Sequence, residues 1–247
     1  MKKKILIPII LGMLTVFSLS SCGEKAITAQ EASVIYQKVI DEQKSSTYKL
    51  PNTYLVKTTF DRIVQDEKAT IVSTYKYDSK NFYAFSEVTM TSGELIKKIV
   101  NYTYIKDNSF YSYLKEDEKV TASKTTLTAD LEQVKSDILG TALEGVSICD
   151  VSYLEGIKTD IIDAAIAFKD AHFYSKGEGS LIIDMAKSAT EEEVTTSAKF
   201  DFILENYRLV KLLSSMSTSN GIEITSSIEI EYDTNVVSYL DESVFIK

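Results

Sequence analysis

Strict alternation of apolar and polar residues is the feature that most limits how this chain folds. It is clearest in residues 221–233, where one set of alternate positions holds Ile222, Ile224, Ile228, Ile230 and Tyr232. The intervening positions are mostly glutamate, serine and threonine. Because successive side chains of a strand point to opposite faces, this pattern predicts a strand with one apolar face. Pro51 is the only proline after residue 21, which is compatible with long uninterrupted strands.

The same period of two recurs along most of the chain and predicts ten to eleven strands. They fall at residues 53–64, 69–78, 82–91, 94–106, 109–115 and 119–125, and again at 171–176, 180–187, 194–205, 207–218 and 221–233. The connections within each group are short and rich in turn-forming residues. Strands that are neighbours in sequence should therefore pair, which predicts an antiparallel meander.

Helical spacing interrupts the strands in two places. Thr28 and Glu31 form a capping-box pattern that opens a helix ending near Lys44. An insertion near residues 128–169 predicts two more helices, the first capped by Thr128 and the second beginning near Asp150 or Ser152. A sheet with one apolar and one wet face must cover its apolar side, and these helices are the material for it. We therefore expect a mainly β, α+β fold with a single domain over residues 28–247.

The first residues have the order of a secretory signal peptide: Lys2 to Lys4, an apolar run over residues 5–19, and two small residues before Cys22. The segment Leu19-Ser20-Ser21-Cys22 resembles the lipobox of bacterial lipoproteins. That resemblance implies cleavage after residue 21, a diacylglycerol on Cys22, and a lipidated tether over residues 22–27. The expected location is the cell envelope, anchored on the outer side of a membrane. The alternative is ordinary secretion with an incidental cysteine.

Charge limits the possible partners. The whole chain carries a formal charge of -9, and loss of residues 1–21 removes three lysines and no acids, leaving 24 basic and 36 acidic residues, or -12. Such a surface repels nucleic-acid phosphates and anionic head groups, so we expect no nucleic-acid partner. Membrane attachment must then come from the lipid on Cys22. The sequence predicts no particular protein partner.

The residues needed for common catalytic and metal sites are scarce. His172 is the only histidine, which excludes a multi-histidine metal site. Cys149, His172 and Asp170 could form a nucleophile, base and orienting acid, but Cys149 lies among apolar residues, where a buried structural thiol is the usual interpretation. We therefore expect no catalytic residue, no metal and no cofactor, and a protein that is not an enzyme.

The order of elements resembles the lipoprotein-carrier superfamily, which includes LolA-type carriers and LppX/LprG-type lipoproteins. This resemblance covers residues 28–247 and rests on element order. It implies a curved half-barrel sheet around the helices, with an apolar cavity that holds acyl chains. The candidate lining residues are Ile157, Ile161, Ala165, Phe168, Phe200, Phe202, Ile224 and Ile228. The same residues could instead form a dry packed core, and the sequence does not separate the two.

Two functions follow as hypotheses. The first is a membrane-anchored, non-enzymatic binding or carrier protein for lipid or another apolar ligand. The second is a structural or interaction lipoprotein with a packed core, whose wet sheet face, rich in Tyr, Thr and Ser, contacts a protein or an envelope polymer.

Overall fold

The computed structural model describes residues 24–49, 51–65, 67–127, 131–158, 162, 165, 171–191 and 194–245. Its strands are β1 (Lys25–Ile27), β2 (Thr53–Val64), β3 (Glu67–Asp78), β4 (Tyr83–Ser92), β5 (Leu95–Lys106), β6 (Ser109–Glu116), β7 (Lys119–Thr126), β8 (Ala171–Ser175), β9 (Leu181–Glu191), β10 (Val194–Glu205), β11 (Arg208–Thr218) and β12 (Ile222–Tyr232). Its helices are α1 (Ala29–Lys44), α2 (Leu131–Ile148) and α3 (Val151–Lys158), with a 3-10 turn at Glu242–Phe245. The predicted signal peptide, Cys22, Thr128, Ile161 and Phe168 lie outside the described residues.

All twelve strands form one antiparallel sheet in the order β1-β8-β9-β10-β11-β12-β2-β3-β4-β5-β6-β7. The sheet is curved and open, which confirms the predicted fold class. Two meanders, β2–β7 and β8–β12, meet where β12 pairs with β2. Since β7 ends at one edge of the sheet and β8 lies near the other, the chain between them must cross the sheet. This crossing places α2 and α3 over one face, which we call the inner face.

The strand boundaries differ from the predicted ones mainly in two places. Lys25–Ile27, expected in the tether, form the edge strand β1, which pairs with β8 from Lys25 opposite Ser175 to Ile27 opposite Phe173. Three residues are too few to show a period of two. Strand β9 also continues to Glu191, through a polar segment expected as a loop, because it pairs with β10 up to Val194.

The predicted capping box begins α1. The Thr28 side chain accepts a hydrogen bond from the Glu31 backbone N–H at 3.2 Å, and the Thr28 backbone N–H donates to the Glu31 carboxylate at 2.7 Å. The buried side of α1 consists of Ala32, Tyr36, Val39 and Ile40. This side packs against the inner face in the main core.

Tyr36 connects α1 to both the sheet and α3. Its ring stacks on Phe202 of β10 with centroids 5.6 Å apart, and its hydroxyl donates to the Leu154 carbonyl at 2.9 Å. The Tyr36, Phe202 and Leu154 side chains are almost completely buried. The main core therefore joins α1, α3 and the inner face through one aromatic side chain.

The outer face of the sheet differs from the expected wet surface. Over β4, β5 and β6 it carries a second apolar cluster, buried beneath the C-terminal segment at residues 234–245. Its buried members are Tyr83, Phe85, Tyr104, Tyr111 and Val236. The Tyr83 hydroxyl donates to the Ser238 carbonyl at 3.3 Å, and Phe245 packs edge-on against Tyr111 at 5.1 Å. Several tyrosines expected to face solvent are thus core residues of the outer side.

Candidate apolar ligand site

The predicted lining residues separate into two groups in the structure. Phe202, Ala165 and Ile228 lie in the main core, while Ile157 and Phe200 are partly buried against it. Ile224 is half-buried further along β12. Phe202 and Ala165 have no exposed surface, so they act as packed core residues. Phe200 and Ile224 lie where the core begins to open.

Beyond the helices, large apolar side chains that are only partly buried continue along the inner face. We call this set the inner apolar band; it consists of Phe60, Ile71, Met90, Phe200, Met216 and Ile224. Phe60 is 39% exposed, Ile71 37%, Met90 41% and Met216 37%. Phe60 pairs directly with Ile71, and Ile71 with Met90. Met216 pairs with Ile224.

Strand parity places the inner apolar band on the same face as the main core. Phe60 is four residues from the buried Val56 of β2, and Ile71 is four residues from the buried Tyr75 of β3. Residues separated by an even number along a regular strand share a face. The band is therefore the continuation of the core surface, at the half of the strands away from α1 and α2.

Two small side chains connect the two ends of the band. In register, Phe200 pairs with Ser214, Ser214 with Ser226, and Ser226 with Phe60. Serine side chains are short, so they leave a shallow trough between the Phe200 and Phe60 rings. At about 4.8 Å per strand, the row from β10 to β4 measures roughly 24 Å along the sheet. An elongated apolar chain fits this shape better than a compact one.

Grouped apolar residues differ from isolated exposed apolar residues, which are common on any protein surface. Large apolar patches mark binding surfaces in soluble proteins. The inner apolar band contains two groups of paired neighbours, Phe60 with Ile71 and Met90, and Met216 with Ile224. Phe200 and Ile224 are among the predicted lining residues, whereas Phe60, Ile71, Met90 and Met216 are not. The sequence shows that these residues alternate along their strands, but it does not show how far the helices extend over the inner face.

Clefts lie at the edge of the band and elsewhere on the surface. One of about 580 Å³, at the ends of β2, β3 and β4, is lined by Arg62, Val64, Glu67, Lys68, Ala69, Ser92 and Gly93. Another, of about 720 Å³, lies between β1, α1 and the turn after β8, and includes Ile27, Val34 and Lys176. The first adjoins the inner apolar band, because Arg62 pairs with Ile224 and with Ala69.

Cys149 and His172, two of the three residues considered for catalysis, lie on opposite sides of the sheet. Cys149 is buried in the main core, and its thiol donates to the Gly145 carbonyl at 3.6 Å. Burial raises the pKa of the Cys149 thiol to about 12. His172 is exposed on β8, next to the inward-facing Phe173, so its side chain lies on the outer face. Asp170 lies outside the described residues. Cys149 is thus the buried thiol that its apolar neighbours predicted.

Among the described residues, no three or more His, Cys, Asp or Glu side chains are grouped to hold a metal ion. No described helix has both the length and the apolar character needed to span a bilayer.

No family model matches the chain, and no curated protein matches it. Among solved structures, an S-type phycobiliprotein lyase from Guillardia theta is 6% identical, with 85% of this chain and 99% of that chain covered, at a TM-score of 0.20. A DUF1329 family protein from Desulfovibrio piger is 10% identical, with 88% of this chain and 96% of that chain covered, at a TM-score of 0.22. Such low TM-scores establish neither a shared fold nor a shared function with these two proteins.

Proposed function

We propose that this protein is a non-enzymatic, lipid-anchored carrier on the outer side of a membrane, and that it binds an apolar ligand on the inner apolar band. The observation that carries the proposal is the row of exposed side chains that includes Phe60, Ile71 and Met90, on the face that elsewhere forms the core. A ligand on this row would remove apolar surface from water.

The energetics favour an apolar ligand. Burying one large apolar side chain contributes about 1.5–3 kcal/mol, and those of the band are already partly buried, so each adds less than that. Their contributions add to that of the ligand's own apolar surface, and every 1.4 kcal/mol gained raises the affinity about tenfold. The polar groups within the row are small hydroxyls such as Ser214 and Ser226. They impose little directionality, which suits a flexible hydrocarbon chain.

The proposed anchor would hold this surface close to lipid. Strand β1 begins at Lys25, so Gly23 and Glu24 are the only residues between Cys22 and the sheet. Three residue steps span at most about 11 Å. A carrier held this near the head groups exchanges hydrophobic ligands with the bilayer over a short path. The net charge of the acidic domain does not attract it to anionic lipid, so membrane attachment would depend on the acyl chains.

The anchor is tested by replacing the acylated residue. Cys22→Ala in the full-length chain is expected to move the protein from the membrane fraction to the soluble fraction. Cys149→Ala, which removes the other thiol, is the matched control and should stay with the membrane. Retention of the Cys22→Ala protein in the membrane fraction would contradict the anchor.

The ligand site is tested with the domain that starts at residue 23. Mass spectrometry of organic extracts should find co-purified lipid, and diphenylhexatriene, a neutral apolar probe, should bind with increased fluorescence. The double variant Phe60→Ser/Ile71→Ser is expected to weaken probe binding about tenfold or more. Val72→Ser is the matched control, because Val72 is equally exposed but follows Ile71 on the outer face. It should leave binding unchanged.

Two results would overturn the carrier function. One is the absence of lipid in repeated extracts together with no probe binding by the unaltered domain. The other is an equal loss of binding in the Val72→Ser control and the double variant. A reproducible protein crosslink in intact cells, with no bound lipid, would instead favour a surface-interaction lipoprotein.

A further inference from the structure

The geometry points to an anionic amphiphile as the ligand: its hydrocarbon chain would lie on the inner apolar band, and its carboxylate or phosphate head group would pair with Arg62. This inference rests on the proposed function and adds the chemical class of the ligand.

Arg62 lies at the end of the inner apolar band. It is on β2, two residues after Phe60, and its cross-strand partners are Ile224 of β12 and Ala69 of β3. By strand parity its side chain leaves the sheet on the inner face, and it is exposed. A chain lying over Phe60 thus has a cation next to its end.

The Arg62 guanidinium is not committed to an acid of the described chain. Several nearby lysines form ion pairs, including Lys57 of the same strand with Glu231 at 3.5 Å and Lys68 of β3 with Asp61 at 3.8 Å. Lys97, the cation at the other end of the row opposite Met90, pairs with Glu116 at 2.7 Å. Within the described residues, the Arg62 guanidinium forms no ion pair and no hydrogen bond. This includes Glu67, the acid of the same cleft, whose carboxylate does not pair with it.

The cleft beside Arg62 has room for a head group. Its volume is about 580 Å³, and three of its lining residues, Ala69, Ser92 and Gly93, have small or absent side chains. A guanidinium presents a planar pair of donors that fits both carboxylate and phosphate oxygens. On a chain with formal charge -9, an uncommitted arginine is a local exception to the general repulsion of anions.

The experiment compares amphiphiles with the same chain length and different head groups. Decanoate, decyl phosphate and 1-decanol each displace diphenylhexatriene from the domain that starts at residue 23, below their aggregation concentrations at pH 7.5. The measured quantity is the affinity of each anion divided by that of 1-decanol. Arg62→Gln is expected to lower this ratio about tenfold, because a charge-assisted hydrogen bond is lost. The affinity for 1-decanol itself should not change.

Lys57→Gln is the matched control, since it removes one positive charge from the same strand on the outer face. It should leave the ratio unchanged. A larger Arg62→Gln effect for decanoate assigns the site to carboxylates, and a larger one for decyl phosphate assigns it to phosphates; both support the inference. An unchanged ratio in Arg62→Gln, or an equal fall in Lys57→Gln, overturns it while the apolar site stands. Failure of diphenylhexatriene to bind the unaltered domain overturns the proposed function and this inference together.

Discussion

Gly145 of α2 lies directly against Tyr75 of β3: a Cβ atom built on Gly145 would come within 2.3 Å of the Tyr75 Cβ. The adjacent Glu144 carboxylate accepts a hydrogen bond from the Tyr75 hydroxyl. Thr103 of β5 also donates to Thr141 of α2 at 2.7 Å. These contacts hold α2 close to the sheet and fix where the helical cover of the inner face ends.

Replacement of Gly145 by alanine should therefore destabilise the domain. The added methyl group overlaps the Tyr75 side chain and must push α2 away from β3, and so close an overlap belongs at the upper end of overpacking costs, about 3 kcal/mol. The gain in helix propensity, about 1 kcal/mol, offsets only part of this. Gly140→Ala is the control, because no atom lies within 4 Å of the Cβ it would add in the same helix. Urea unfolding should show Gly140→Ala as stable as the unaltered protein or more so. Equal stabilities of the two variants would contradict the close contact.

The buried Cys149 thiol should be unreactive in the folded domain. With its pKa raised to about 12 by burial, the reactive thiolate is about one part in ten thousand at pH 8. The domain that starts at residue 23 contains no other cysteine, so dithionitrobenzoate reports on Cys149 alone. We expect negligible reaction without denaturant and one thiol per chain in guanidinium.

The raised pKa of Cys149 also makes the folding stability depend on pH in a defined direction. The folded pKa lies above the ordinary thiol value, so burial of the neutral thiol contributes fully below pH 9 and is lost as the pH rises from 9 towards 12. Rapid reaction of the folded protein at pH 8 would show that Cys149 is accessible, in conflict with its place in the main core.

Much of the fold could be predicted from sequence because the strands are long and regular. The limits of β2 and β10 agree with the predicted ones to the residue, since alternation and polar turns define both ends. Strand β1 could not be predicted, because pairing with β8 and not local periodicity makes it a strand.

The sequence also contains a pattern that indicates the outer cluster. Tyr83, Phe85, Tyr102, Tyr104 and Tyr111 all fall on one parity of β4, β5 and β6, opposite to the parity of Ala84 and Thr103 beneath α2. Two apolar faces on the same strands indicate two covers. The helices cover one, and the C-terminal segment is the remaining chain that covers the other.

Insertion of a charge beneath the C-terminal segment should expose this cluster. Val236 is almost fully buried there. Val236→Asp places an unpaired carboxylate among aromatic rings and should lower the free energy of unfolding by about 3 kcal/mol or detach the segment. Ser238→Asp, at an exposed neighbouring position, carries the same charge change and should have little effect. Hydrogen exchange of the β4–β6 amides would reveal detachment, and equal protection in both variants would argue against an apolar cover.

The division between packed core and open band predicts different costs for the same substitution at Phe202 and Phe60. Phe202 is fully buried, with its ring between Tyr36 and Phe200, so Phe202→Ala should leave a cavity and cost about 3–5 kcal/mol. Phe60 already exposes 39% of its surface, and its ring fills no enclosed space, so Phe60→Ala should cost about 1 kcal/mol.

Urea unfolding of both variants measures this difference in stability. Diphenylhexatriene binding by the same variants measures the effect on the ligand surface. Phe60→Ala should bind the probe more weakly while remaining folded, because the lost ring belongs to the ligand surface. Phe202→Ala should lose stability first, with any loss of binding following unfolding. If the two substitutions cost the same free energy, the ring of Phe60 is covered in solution, and the inner apolar band is part of the core.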